Sequence, residues 1–179
     1  GPSWGARPTV AQSQGNAAAQ TLKAMASERV IEAVPDDRGS ITVHDEVLLI
    51  VEDDPHYGRL LADAARDKGF KVLVAARGAD ALELARQYPL TAVSLDVFLP
   101  DMLGWTVLNQ LKQNPSTRHI PVQMVTMDED RQHGLARGAF SFVTKPTSMG
   151  GIEAALERIK DYAKPRRKVL LVVEDNPAE

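Results

Sequence analysis

At 179 residues, 44% hydrophobic and 25% charged, the chain is long enough for one compact domain with extensions and too short for two of typical length. Lys and Arg number 21 against 24 Asp and Glu, a net charge of −3, so the basic excess that nucleic-acid backbones demand is missing and no nucleic-acid contact is expected. Cysteine is absent, which excludes disulfides, thiolate metal sites and cysteine nucleophiles. No apolar run approaches the roughly 20 residues of a membrane span, so the expectation is a cytoplasmic domain without direct membrane contact, whatever tethers a longer parent chain.

The chain opens Gly1-Pro2-Ser3 rather than with Met, as after protease cleavage of a fusion, and is expected to be a piece of a longer protein. Residues 1–46 read as a linker rich in Ala, Gln, Ser and Gly. Within it a helix is predicted over 16–34, where Leu22, Met25, Ala26, Val30 and Ala33 form a narrow stripe before Pro35-Asp36-Asp37-Arg38-Gly39 breaks it. The stripe suits docking on the following domain or on a second copy, which makes a homodimer a candidate assembly.

Residues 47–163 read as one unit in which short apolar runs alternate with helical stretches. The runs are Val47–Val51, Phe70–Ala75, Thr91–Leu95, Ile120–Val125 and Ala139–Val143, continuous rather than alternating, as in parallel strands covered on both faces. Asp54 is a good N-cap and Pro55 a good first residue for a helix that carries Tyr57, Leu60, Leu61, Ala64 and Ala65 on one face and ends at Gly69. Further faces fall at Ala81/Leu82/Ala85, Val107/Leu108/Leu111 and Ile152/Leu156/Ile159, with a weaker helical signal over 128–137. Five β/α alternations predict a three-layer α/β/α sandwich on a five-stranded parallel sheet in the flavodoxin-like order 2-1-3-4-5.

Residues 164–179 read as a charged linker followed by the first strand of a truncated second unit. The reason is a repeat: Val47-Leu48-Leu49-Ile50-Val51-Glu52-Asp53-Asp54-Pro55 returns 122 positions later as Val169-Leu170-Leu171-Val172-Val173-Glu174-Asp175-Asn176-Pro177.

In a doubly wound sheet the reactive site lies beyond the carboxyl ends of the strands. Those ends carry Glu52-Asp53-Asp54, Asp96, Thr126 and Lys145-Pro146, residues spread over more than 90 positions of sequence yet predicted to meet at one edge. Two carboxylates about 4 Å apart repel by roughly 4 kcal/mol at an effective dielectric of about 20, so the cluster calls for a cation. Mg²⁺, which prefers carboxylate and water oxygens, fits. By role, Asp96 is the candidate nucleophile for phosphoryl transfer, Asp53 a metal ligand, Glu52 an outer ligand through water, and Lys145 and Thr126 the groups that neutralise and hydrogen-bond phosphoryl oxygens.

These segments resemble the receiver domains of two-component response regulators. Val51-Glu52-Asp53-Asp54-Pro55 is similar to the family's acidic pair, Leu95-Asp96-Val97-Phe98-Leu99-Pro100 to its phosphoacceptor strand, Val125-Thr126 to its strand-four hydroxyl motif, and Gly138–Pro146 to its fifth-strand segment. The resemblance implies that the main-chain carbonyl of Phe98 joins Asp53, Asp96 and Glu52 around Mg²⁺, that Phe142 is the aromatic switch partner of Thr126, that Lys145-Pro146 is a cis peptide, and that the phosphoryl group comes from the histidine of a kinase or phosphotransfer domain. Phosphorylation would then remodel the surface formed by residues 128–137, the fifth strand and the last helix.

With the tandem repeat, the context resembles the C-terminal half of a hybrid sensor histidine kinase, and the fragment itself reads as a regulatory acceptor rather than an enzyme. His44, His56, His119 and His133 fall in linker, polar or surface contexts and none reads as a donor. Two positions depart from the family pattern. Met127 replaces a small residue after Thr126 and is a candidate gate over Asp96, and Leu103 replaces an acidic residue before Gly104, for which Asp101 is a candidate substitute. The competing reading is a pseudo-receiver that regulates a hybrid kinase without phosphorylation, through a cyclic dinucleotide held by Pro35-Asp36-Asp37-Arg38 and Lys164-Pro165-Arg166-Arg167-Lys168. A metal-dependent phosphatase would need a second aspartate where Phe98 stands.

Overall fold

The computed structural model describes residues 33–127, 137–146 and 148–164. All belong to the second of two units into which the chain divides, the one that starts at Ala33. The helix predicted over 16–34 lies outside the described residues except for Ala33 and Val34, which are not helical. Most of the weak helix at 128–137 and the repeated strand at 169–173 also lie outside them.

Most strand positions are apolar and buried, and among the described residues β1, β2, β3 and β5 are each followed by a loop that leads into a helix. The order is β1 (Val47–Val51), α1 (Pro55–Asp67), β2 (Lys71–Ala75), α2 (Gly78–Gln87), β3 (Ala92–Asp96), α3 (Gly104–Gln113), β4 (Val122–Thr126), β5 (Ser141–Thr144) and α4 (Met149–Ala163). The sheet is parallel throughout and ordered β2-β1-β3-β4-β5, as the alternation predicts. Because side chains alternate along a strand, β1 feeds two cores at once. Val47, Leu49 and Val51 pack with residues of α2 and α3, while Leu48 and Ile50 pack with Tyr57, Leu61 and Ala65 of α1 and Ile152, Leu156 and Ile159 of α4. That division explains runs that are apolar at every position.

Helix α1 starts where the sequence predicts: Asp54 accepts a hydrogen bond from the His56 N–H at 3.0 Å, Pro55 opens the helix, and Gly69 follows its end at φ +91°. The buried face of α2 includes Leu84 besides Ala81 and Ala85, while Leu82 is only partly buried.

The segment before β1 is part of the same packing. β2 is an edge strand, and its outward N–H groups are taken by two carboxylates: Asp37 accepts from Val72 N at 2.9 Å and Asp36 from Val74 N at 3.0 Å, while Asp37 N donates to the Val72 carbonyl at 2.8 Å. Arg38 grips Asp36 at 2.8 Å, and Arg66 of α1 holds Asp37 at 3.1 Å and the Pro35 carbonyl at 3.1 Å. Burial acts to raise the Asp36 carboxyl, but the Arg38 and Val74 donors outweigh it and hold it below the usual carboxylate range. The edge is thus closed in cis, a protection that open sheets need against strand addition. Asp37→Ala should cost about 1–3 kcal/mol, since it takes the acceptor from both the Val72 N–H and the Arg66 Nε, and a urea midpoint equal to that of the parent would disprove the clamp.

Candidate functional site

The carboxyl ends of β1, β3, β4 and β5 lie side by side, so residues remote in sequence meet. Glu52 follows β1 and is 4% exposed, Asp96 ends β3 and is 8% exposed, and Thr126 ends β4 and is buried. Lys145 follows β5, anchored by its N–H to the Thr126 carbonyl. Its ammonium donates to Glu52 Oε1 at 2.9 Å and stands 3.7 Å from Asp96 Oδ2. Glu52, Asp53 and Asp96 each offer a carboxylate oxygen, and these lie within 4.8 Å of one another.

The cluster carries more negative than positive charge. Burial and then the charge of Asp96 push the Glu52 carboxyl up to about 7, against the pull of Lys145. Lys145 itself is raised: burial opposes its charge, but Glu52, Asp96 and Asp54 outweigh burial. Among the described residues the cluster offers three hard oxygen donors and no nitrogen or sulfur, a donor set suited to Mg²⁺ rather than to a softer transition metal. The chemistry open to such a site is charge-stabilised transfer to the buried Asp96 carboxylate.

Asp96 is held from both sides. Its Oδ1 accepts from Phe98 N at 3.2 Å, and its backbone abuts Gly104, whose N–H donates to the Val97 carbonyl at 2.6 Å. The side chains of Phe98, Leu103 and Met127 are exposed, the last 72%. Asp101 has a task of its own: its carboxylate accepts from Gly78 N at 2.8 Å and Ala79 N at 3.0 Å, capping α2 from across the loop. Burial works to raise that carboxyl, yet the two N–H donors win and hold it below the usual range. Phe142 is 9% exposed and stacks on Trp105 at 5.9 Å between centroids, the two ring planes 9° apart, with the Arg137 guanidinium over the Trp105 ring.

One implied feature is corrected. Lys145-Pro146 is trans, since the described residues contain no cis peptide bond. Proline narrows the trans preference to about 0.5–1 kcal/mol without reversing it, and the short bond from Lys145 N to the Thr126 carbonyl forms with the trans chain. The site also holds a residue that sequence reasoning assigned only to a helix face: Tyr57, whose ring lies 4.3 Å from the Lys145 ammonium. Its place one turn after Asp53 was the available signal.

Comparison with known proteins agrees with this geometry. Residues 48–157 match the family model described as the response regulator receiver domain. A probable cyclic di-GMP phosphodiesterase of Vibrio cholerae is 33% identical over 132 residues, covering 72% of this chain and 29% of its own length. The response regulator PleD of Caulobacter vibrioides is 39% identical over 102 residues, 55% of this chain and 22% of that protein. The chain therefore spans well under half of either relative. Among solved structures, the signal receiver domain of a signal transduction histidine kinase from Syntrophus aciditrophicus superposes with a TM-score of 0.59 at 26% identity, covering 72% of this chain and 99% of that one. The acidic cluster, the lysine that neutralises it and the sheet that brings them together place this chain in the response regulator receiver family.

Proposed function

We propose that the domain takes a phosphoryl group from a phosphohistidine onto Asp96 and thereby switches a protein-interaction surface. The observation that carries the reading is the Asp96 carboxylate itself: it is buried at a strand end, with Lys145 at 3.7 Å and the Glu52 and Asp53 oxygens beside it. A carboxylate oxygen of Asp96 attacks phosphorus as the donor's P–N bond breaks; the imidazole nitrogen keeps the electron pair and takes a proton from water. Lys145, already turned between Glu52 and Asp96, meets the incoming charge, and the Thr126 hydroxyl donates to a phosphoryl oxygen. Mg²⁺ would be held by Asp53, Asp96, the Phe98 carbonyl and, through water, Glu52. It would supply positive charge against the phosphoryl oxygens.

The switch runs through Phe142. Drawing Thr126 toward the new anion opens space beside β5, and Phe142 must leave or tighten its stack on Trp105 to follow. The donor is a histidine kinase or phosphotransfer domain, and the repeat at 169–177 supports a parent with tandem receivers, of the hybrid histidine kinase kind, working in the cytoplasm. Among the described residues no helix is long and apolar enough to cross a membrane. Against the competing cyclic-dinucleotide reading, the Arg38 guanidinium already donates to Asp36 through both Nε and Nη2.

Intact-mass spectrometry after incubation with Mg²⁺ and acetyl phosphate tests this directly. The parent should gain one phosphoryl group and Asp96→Asn none; an unchanged parent mass, with thermal stability indifferent to Mg²⁺, would favour the pseudo-receiver.

A further inference from the structure

We infer that Tyr57 is the positioning residue of the site, its ring serving as the fixed surface against which the Lys145 ammonium is held between Glu52 and Asp96. The inference rests on the phosphoacceptor reading for its consequence, but the contact stands on the geometry alone.

A lysine side chain is a flexible four-carbon stem, and its ammonium is a compact, strongly hydrated charge that prefers water unless neighbours confine it. Lys145 projects from the loop after β5, an edge strand with one sheet neighbour, so the sheet restrains its backbone on one side only. Two of its contacts are carboxylates that phosphorylation would change: Glu52 at 2.9 Å and Asp96 at 3.7 Å. The third is the face of Tyr57, 4.3 Å from the nitrogen. That ring cannot drift. It sits in the first turn of α1, whose start is pinned by the Asp54 cap and Pro55, and it is 9% exposed within the core of Leu48, Ile50, Leu61 and Ile152.

A neutral π face attracts the cation without competing for its protons, so the N–H donors stay aimed at the oxygens. Burial first, then the negative charges of Glu52 and Asp96, push the Tyr57 hydroxyl up to about 12, which keeps the ring uncharged at any working pH. An aliphatic residue would keep apolar contact with the core but offer the ammonium no π face, leaving Lys145 held by the two carboxylates alone.

The test uses the full chain, Tyr57→Phe, which keeps the ring, and Tyr57→Leu, which keeps only apolar bulk. In the metal-free protein, the Lys145 ε-methylene protons should be shifted upfield by the ring in the parent and Tyr57→Phe, and return to the free-lysine position in Tyr57→Leu. With Mg²⁺ and acetyl phosphate, Tyr57→Phe should phosphorylate within about twofold of the parent and Tyr57→Leu about tenfold more slowly. An unshifted Lys145 in the parent overturns the inference, and so does a Tyr57→Leu protein that phosphorylates at the parental rate. If the parent takes no phosphate at all, the phosphoacceptor reading fails by itself and the ring-current shift decides the Tyr57–Lys145 contact.

Discussion

Glu52→Gln is expected to stabilise the metal-free protein by about 3 kcal/mol at pH 8 and to weaken its gain from Mg²⁺. The Glu52 carboxyl is buried, repelled by Asp96 and raised from an ordinary 4.5 to about 7, only partly compensated by Lys145. A carboxyl raised on folding binds a proton in the native state that the unfolded chain has already lost. Its contribution to stability is therefore complete below about pH 4.5, declines as pH rises toward 7, and is gone above that. A difference of this size corresponds to about 3 kcal/mol, at 1.36 kcal/mol for each unit. Asp36 and Asp101 act in the opposite sense: their carboxyls are held below the usual range, so their stabilisation is present at neutral pH and lost as the solution becomes strongly acidic.

The metal-free parent should accordingly be most stable in mildly acidic solution, and Gln, which carries no charge to desolvate, should flatten the neutral limb. Urea midpoints between pH 4.5 and 8, with and without Mg²⁺, decide the matter. Parallel curves for the two proteins would show that Glu52 is not the strained group. On this expectation the acidic cluster would cost stability in the metal-free protein, and a bound cation would restore it by mass action.

Gly104→Ala should cost about 2 kcal/mol and slow phosphorylation of Asp96 by tenfold or more. Alanine is the better helix former by about 1 kcal/mol, so an unobstructed site would gain from the change. Here an added Cβ would overlap the Asp96 carbonyl oxygen and lie 2.9 Å from Val97 Cα, and neither is the movable end of a side chain. Helix α3 or the end of β3 has to give way, and overpacking of this kind typically costs about 1–3 kcal/mol. The displaced atom belongs to Asp96, the proposed phosphoacceptor, and an error of about 1 Å at a reacting group can cost roughly 100-fold in rate. Gly150, where an added Cβ meets nothing within 4 Å, is the matched control. A Gly104→Ala protein with parental stability and rate would mean that the loop after β3 is free to move.

How far the site can be read in the sequence depends on the range of the interaction. Strands of continuous apolar residues, the Asp54-Pro55 helix start and the glycine at 69 are local signals, and the structure follows them to within a residue or two. The convergence of Glu52, Asp53, Asp96, Thr126 and Lys145 is also legible, because parallel strands joined by helices must present all their carboxyl ends on one edge. Asp101 is different. Its position suggests a substitute for the acidic residue missing at 103, whereas its oxygens cap a helix 22 and 23 positions earlier in the chain. Asp36 and Asp37 likewise read as a helix-breaking, charged stretch, and their partners are backbone N–H groups of Val72 and Val74, which carry no side-chain signal at all.

The amino-acid order by itself therefore settles the elements, the sheet order and the identity of the chemical groups at the strand ends, because these follow from side-chain period, turn chemistry and the handedness of crossovers. Which carboxylates would share a cation, which one is strained upward in pKa, which ring faces the lysine and which glycine seats the acceptor are decided only when the chain is folded. Those properties depend on distances of a few ångströms between groups tens of residues apart, and on the loss of water around Glu52 and Asp96, neither of which any stretch of sequence contains.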